Sequence, residues 1–184
     1  MTRRADGQGI LAATIMTKET ERAVRVLAVA SGGGHWVQLM RLRPAWRNCD
    51  VAYVTTNGSY GEQLRDEAER QGACSPRFYV TMSANRWQKL RLVRQLLTIG
   101  WIVAKERPDV IVSTGASPGY FAIRLGKVIG AQTIWIDSIA NASEMSLAGL
   151  KAGKAADLWL TQWESVSRVT VLNGRRPEYW GGVL

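Results

Sequence analysis

From Val24 onward, short β-branched and apolar runs alternate with longer stretches in which apolar residues return every three or four positions. The short runs predict strands at Val24–Ala30, Asp50–Thr56, Arg77–Met82, Asp109–Thr114, Gln132–Asp137 and Asp157–Gln162, with a further short one over Arg168–Leu172. The longer stretches predict helices at His35–Trp46, Gly61–Gln71, Arg86–Glu106, Pro118–Ile129 and Glu144–Lys154. Strands alternating with helices predict an α/β fold, a doubly wound parallel sheet covered on both faces. In such sheets ligands sit beyond the carboxyl ends of the strands, near the point where the strand order reverses.

Three predicted strand ends carry small or polar residues on that rim. The first is Ser31-Gly32-Gly33-Gly34-His35, which contains the single histidine of the chain. Glycines between a strand and a helix let backbone amides approach a ligand, and a helix start offers unpaired N–H groups and about half a positive charge. A phosphate is the natural guest, with His35 at hand for proton transfer. The second is Ser113-Thr114-Gly115-Ala116-Ser117-Pro118-Gly119-Tyr120, where Pro118 suits the first helical turn and Ser117 an N-cap. The third is Asp137-Ser138-Ile139-Ala140-Asn141. Asp137 there can accept from sugar hydroxyls, act as a base, or simply cap the next helix. The glycine loop is neither GxGxxG with an acidic residue on the following strand end nor GxxxxGK[ST], which disfavours a nicotinamide dehydrogenase and a P-loop ATPase.

The 184 residues suit one domain, and 46% apolar with 21% charged residues is ordinary for a globular chain. The formal charge of +9 is not, and it favours an anionic partner: nucleic acid, a phospholipid surface or a phosphorylated substrate. Cys49 and Cys74 form no CxxC pair, so with one histidine no metal site and no cofactor is expected; two isolated thiols fit a reducing compartment. The sequence is read as carrying no signal peptide and no transmembrane helix, and residues 1–22 as a flexible extension before the core.

Two further segments invite a partner. Along the Arg86–Glu106 stretch, Leu90, Val93, Leu97, Trp101 and Ala104 share one face, and Arg91, Arg94, Gln95 and Thr98 line a polar one. The reading is a helix packed inside by its apolar face, with Arg86, Trp87, Lys89, Arg91, Arg94 and Trp101 toward anionic headgroups. The segment Pro177 to Leu184 is rich in apolar residues. It is either a docking peptide for another chain or a strand or coil folded back on the same domain.

Taken in order, these motifs resemble the acceptor-binding subunit family of the two-chain UDP-N-acetylglucosamine transferase of dolichol-linked oligosaccharide synthesis, and most of all its bacterial exopolysaccharide glycosyltransferase relatives. The resemblance spans about Val24 to Leu184. It rests on the loops at Ser31–His35 and Ser113–Pro118, on Ile136-Asp137-Ser138-Ile139-Ala140-Asn141 with Met145-Ser146-Leu147-Ala148-Gly149, on Gln162-Trp163, and on Tyr179-Trp180-Gly181-Gly182-Val183-Leu184. Asp137 stands where the family has glutamate and Asn141 where it has arginine.

The resemblance implies a Rossmann-like half of a GT-B glycosyltransferase, with residues 23–176 as the acceptor domain and 177–184 as a docking tail. Ser31, Gly32, Gly33, Gly34, Gly115, Ala116, Ser117 and Gly119 would cradle the pyrophosphate of a polyprenyl-pyrophosphate-linked saccharide, and Ser138 and Asn141 would meet its sugar. His35 or Asp137 would be the base. Tyr179, Trp180, Val183 and Leu184 would dock a donor-domain glycosyltransferase subunit to form a heterodimer. The complex would work peripherally at the cytoplasmic face of the inner membrane, as a UDP-sugar-dependent hexosyltransferase, and the single chain would be inactive. No nucleic-acid partner is expected; a basic nucleic-acid-binding module and a free-standing small-molecule α/β enzyme are the alternatives.

Overall fold

The computed structural model describes residues 22–84 and 87–182. The predicted extension, Arg86, Val183 and Leu184 lie outside the described residues, apart from Arg22 at the extension's boundary. Strand β1 (Arg25–Val29) leads through the glycine loop into helix α1 (Gly34–Arg41), and a 3-10 turn (Arg43–Trp46) precedes β2 (Asp50–Thr55). Then follow α2 (Ser59–Arg70), β3 (Arg77–Val80), α3 (Lys89–Glu106), β4 (Val110–Ser113), α4 (Ala116–Val128) and β5 (Gln132–Ile136). The last elements are α5 (Leu147–Ala152), β6 (Leu158–Thr161), α6 (Glu164–Val169) and β7 (Glu178–Tyr179).

The strands form one seven-stranded sheet in the order β3-β2-β1-β4-β5-β6-β7, each pair parallel. Side chains alternate across it. Leu27 and Val29 of β1 join Ala52, Val54, Ile111, Trp135 and Trp159 under α3 and α4. Val26 and Ala28 point the other way, to Trp36 and Leu39 of α1, Trp46 and Leu64. Both faces are therefore dry, as a parallel sheet requires. At the amino ends, carboxylates fasten neighbouring strands. Asp109 accepts from the Arg25 amide at 2.8 Å and Asp157 from the Thr133 amide at 3.0 Å.

Several expectations change. The predicted strand at Arg168–Leu172 is the end of α6 and a loop closed by Leu172 and Arg175. The helix expected over Glu144–Lys154 is only Leu147–Ala152, opened by Ser146 Oγ accepting from the Gly149 amide at 2.8 Å. Part of the tail folds back, with Glu178 and Tyr179 pairing beside Leu160 and Thr161 as the sheet's edge strand.

Helix α3 is turned over relative to expectation. Gln95, Ile99, Ile102, Val103 and Glu106 face the sheet. The stripe expected inside is outside: Leu90 is 81% exposed, Leu97 67% and Trp101 57%, with Val93 and Ala104 also exposed. The buried Gln95 donates from Nε2 to Met82 O at 2.7 Å, while its Oε1 meets no donor among the described residues.

Candidate functional site

The sheet order reverses at β1, which pairs with β2 on one side and β4 on the other. Val29 and Ser113 are register partners, so the loops after β1 and β4 leave the sheet side by side. This is the crevice where doubly wound sheets bind ligands. Helices α1 and α4 both start here, with Gly33 and Gly115 as N-caps and no side-chain cap on either. Their first-turn amides thus face the crevice without an intrahelical acceptor. Ser117, expected as the N-cap of α4, lies inside the first turn, and its hydroxyl donates to Ala84 O at 3.1 Å.

His35 sits between the two loops. Its Nδ1 lies 2.9 Å from Ser31 Oγ, and its carbonyl accepts from Thr114 Oγ1 at 2.7 Å. The imidazole edge carrying Nε2 rests on Gly115, where a Cβ would stand 2.6 Å from Nε2. Gly115 also has φ 137°, so any side chain there meets both backbone strain and the ring. Burial holds the imidazole pKa below its ordinary value, against the opposing pull of Asp137, and keeps the ring neutral at neutral pH. Ser31 Oγ has a further 3.5 Å contact to Gly32 O, which fits a hydroxyl that donates there and accepts from Nδ1–H. In that tautomer Nε2 carries the free lone pair.

The glycine loop is braced from the β2 side. The Gly32 amide donates to Thr56 Oγ1 at 2.9 Å and the Gly33 amide to Tyr60 OH at 3.1 Å. Tyr60 is itself stacked on Trp36, ring centroids 4.9 Å apart. In this conformation the amides of Gly32 and Gly33, and that of Gly115 through Ser113 Oγ at 3.1 Å, are engaged; the donors without an intrahelical acceptor are those of the first turns, fewer in α4 because Pro118 has no N–H. Gly119 is buried in α4, packed on Ser113 and Trp135, where a Cβ would fall on the Ser113 hydroxyl. It serves close helix–sheet packing and does not face the crevice.

Asp137 is buried, and four donors surround its carboxylate. Oδ1 accepts from Trp135 Nε1 at 3.1 Å and Ser146 Oγ at 2.5 Å. Oδ2 accepts from Asn141 Nδ2 at 2.9 Å and the Ser146 amide at 2.9 Å. In this geometry Asp137 anchors the segment 138–146, and its lone pairs are directed at those partners. Ser138 is buried as well, accepting from Gln38 Nε2 and the Ala140 amide. Sequence reasoning missed Gln38, Thr56, Tyr60 and Thr114; only the last carried a signal, its place in the second loop.

The remaining candidates lie elsewhere. Trp87, Lys89, Arg91, Arg94 and Trp101 are exposed on or just before α3. Tyr179 and Trp180 are exposed at the opposite edge of the sheet. Among the described residues no helix is long and apolar enough to cross a membrane.

A seven-stranded parallel sheet with its switch point at β1 and helices on both faces defines the class: a Rossmann-like, doubly wound α/β fold. MurG of Acinetobacter baumannii superposes with a TM-score of 0.62 at 12% identity, over 78% of this chain and 43% of MurG. UDP-GlcNAc 2-epimerase of Methanocaldococcus jannaschii, in complex with UDP-GlcNAc and UDP, gives 0.57 at 14% identity over 77% of this chain and 41% of the epimerase. A putative epimerase of that kind from Listeria monocytogenes gives 0.58 at 13% identity over 79% and 41%. The chain thus spans less than half the length of these relatives. No protein-family model matches the sequence, and neither does any curated protein.

Proposed function

We propose that this chain is the acceptor-holding half of a two-chain glycosyltransferase. It binds a lipid-pyrophosphate-linked sugar at a membrane surface and joins a separate chain that carries a UDP-sugar. The observation that carries the reading of the acceptor site is His35, neutral and wedged against Gly115 between two uncapped helix starts. The first-turn amides of α1 and α4 would hold the pyrophosphate. Nε2 of His35 would take the proton from the acceptor hydroxyl as its oxygen attacks the donor sugar's anomeric carbon and the nucleoside diphosphate leaves. Asp137 supports the wall of the site. The outward stripe of α3, flanked by Lys89, Arg91, Arg94 and Lys105, suits an anionic bilayer interface. Trp180, 68% exposed beside β7, suits the docking edge.

The test is co-expression with neighbouring reading frames, followed by transfer from UDP-N-acetylglucosamine to a polyprenyl-pyrophosphate saccharide. Transfer is expected only when both chains are present. His35→Ala should lower it about 10²- to 10⁴-fold, and Trp180→Ala should weaken copurification. Turnover by the purified single chain sinks the two-chain reading, and full activity in His35→Ala sinks the base.

A further inference from the structure

Buried polar side chains that take no part in these roles converge on Gln38, one turn after His35 on α1. Its Nε2 donates to Gly34 O and to Ser138 Oγ, each at 3.2 Å. Its Oε1 accepts from the Ile139 amide at 3.1 Å and from Gln162 Nε2 at 2.6 Å. Gln162, at the end of β6, also donates to Asp137 O at 2.9 Å. Two donors and two acceptor sites are the full capacity of a glutamine amide, so turning it over would set donor against donor. Such a saturated buried network has one arrangement.

We propose that Gln38 is a positioning residue for His35, clamping the first turn of α1 to the ends of β5 and β6. Gln38 fixes the carbonyl of Gly34, directly before His35, while Thr114 Oγ1 fixes the carbonyl of His35 itself. The backbone on both sides of the imidazole is thereby tied, and the ring is held at Ser31 and Gly115. The proposal rests on the reading of His35 as the base.

His35 is the only histidine of the chain, so its ring nitrogens can be followed by NMR without ambiguity. Gln38→Met keeps the side-chain length and removes all four bonds. The imidazole signals of this variant should lose the single Nδ1–H tautomer, and the titration midpoint should move up toward the ordinary histidine value as the ring gains solvent. If Gln38→Met does not fold, Gln162→Met, which removes one of the four bonds, is expected to shift the same signals less. Wild-type tautomer and midpoint in the variants that fold overturn the proposal and leave Gln38 a purely structural residue. Its failure is separable from that of the base assignment. Unimpaired transfer by His35→Ala in the two-chain enzyme removes the base and leaves these spectra untouched.

Discussion

Two titratable side chains on the carboxyl rim of the sheet, His35 at the start of α1 and Asp137 just after β5, do different work because their surroundings differ. Asp137 has every lone pair met by a donor, two of them from residue 146. Asp137→Asn replaces one oxygen with an NH2 group that faces donors. A loss of about 2–4 kcal/mol is expected in urea unfolding, because a buried unmatched donor is left behind. A cost below ~0.5 kcal/mol, with the activity of the complex lost, would restore Asp137 as a chemical group. His35 contributes a pH dependence of known sign. Burial lowers its folded pKa, so at mildly acidic pH the unfolded chain binds the extra proton. Its contribution to stability is complete above the unfolded value of about 6.5. It falls as the pH drops from there toward the lower folded value. His35→Gln should flatten this part of the stability–pH curve, and an unchanged slope speaks against a buried neutral ring.

At the level of elements, α3 shows what periodicity can and cannot convey. The spacing of Leu90, Val93, Leu97 and Trp101 correctly puts them on one face, but it is silent on which face meets the sheet. A competing set, Ile99, Ile102 and Val103, fits between β1, β2 and β4 and takes the inner side. Lys105 rests over the rings of Tyr79 and Trp101, at 5.1 and 4.9 Å from their centroids, so its charge stays at the edge of the apolar stripe. Leu97→Glu is expected to reduce sedimentation with phosphatidylglycerol vesicles, and Arg91→Ala to weaken it about fivefold, or about 1 kcal/mol per cation near an anionic surface. Equal binding by wild type and both variants removes α3 from the membrane. Strands β1 to β6 were legible as short apolar runs, their ends read long by one or two residues where the chain turns out of the sheet; β7, the exposed pair Glu178 and Tyr179, has no such run, and the run at Arg168–Leu172 is not a strand. The hydrogen-bonding roles of Gln38, Asn141 and Ser146 were not legible, since their partners come from other elements and no local pattern announces them.

At the scale of the whole molecule, the functional candidates fall at separate places on one sheet. The switch-point crevice lies at its centre, the basic helix with its apolar stripe covers β1 and β2, and the exposed aromatics mark the β7 edge. Strand and helix alternation made the parallel architecture legible, and the glycines after β1 and β4 marked the crevice. The strand order itself came only from the three-dimensional pairing.

The two-residue strand β7 has a consequence for solubility. Among the described residues it is the strand that pairs with the outer edge of β6, at Leu160 and Thr161, next to the fully buried Trp159. Without it, the apolar strand β6 would present unpaired amides and carbonyls along the margin of the sheet, a template on which other chains can add. Shortening the protein before residue 178 should therefore yield soluble aggregates, whatever becomes of partner binding. For that reason the single substitution Trp180→Ala, which leaves Glu178 and Tyr179 in place, reports on docking where a truncation would report on stickiness.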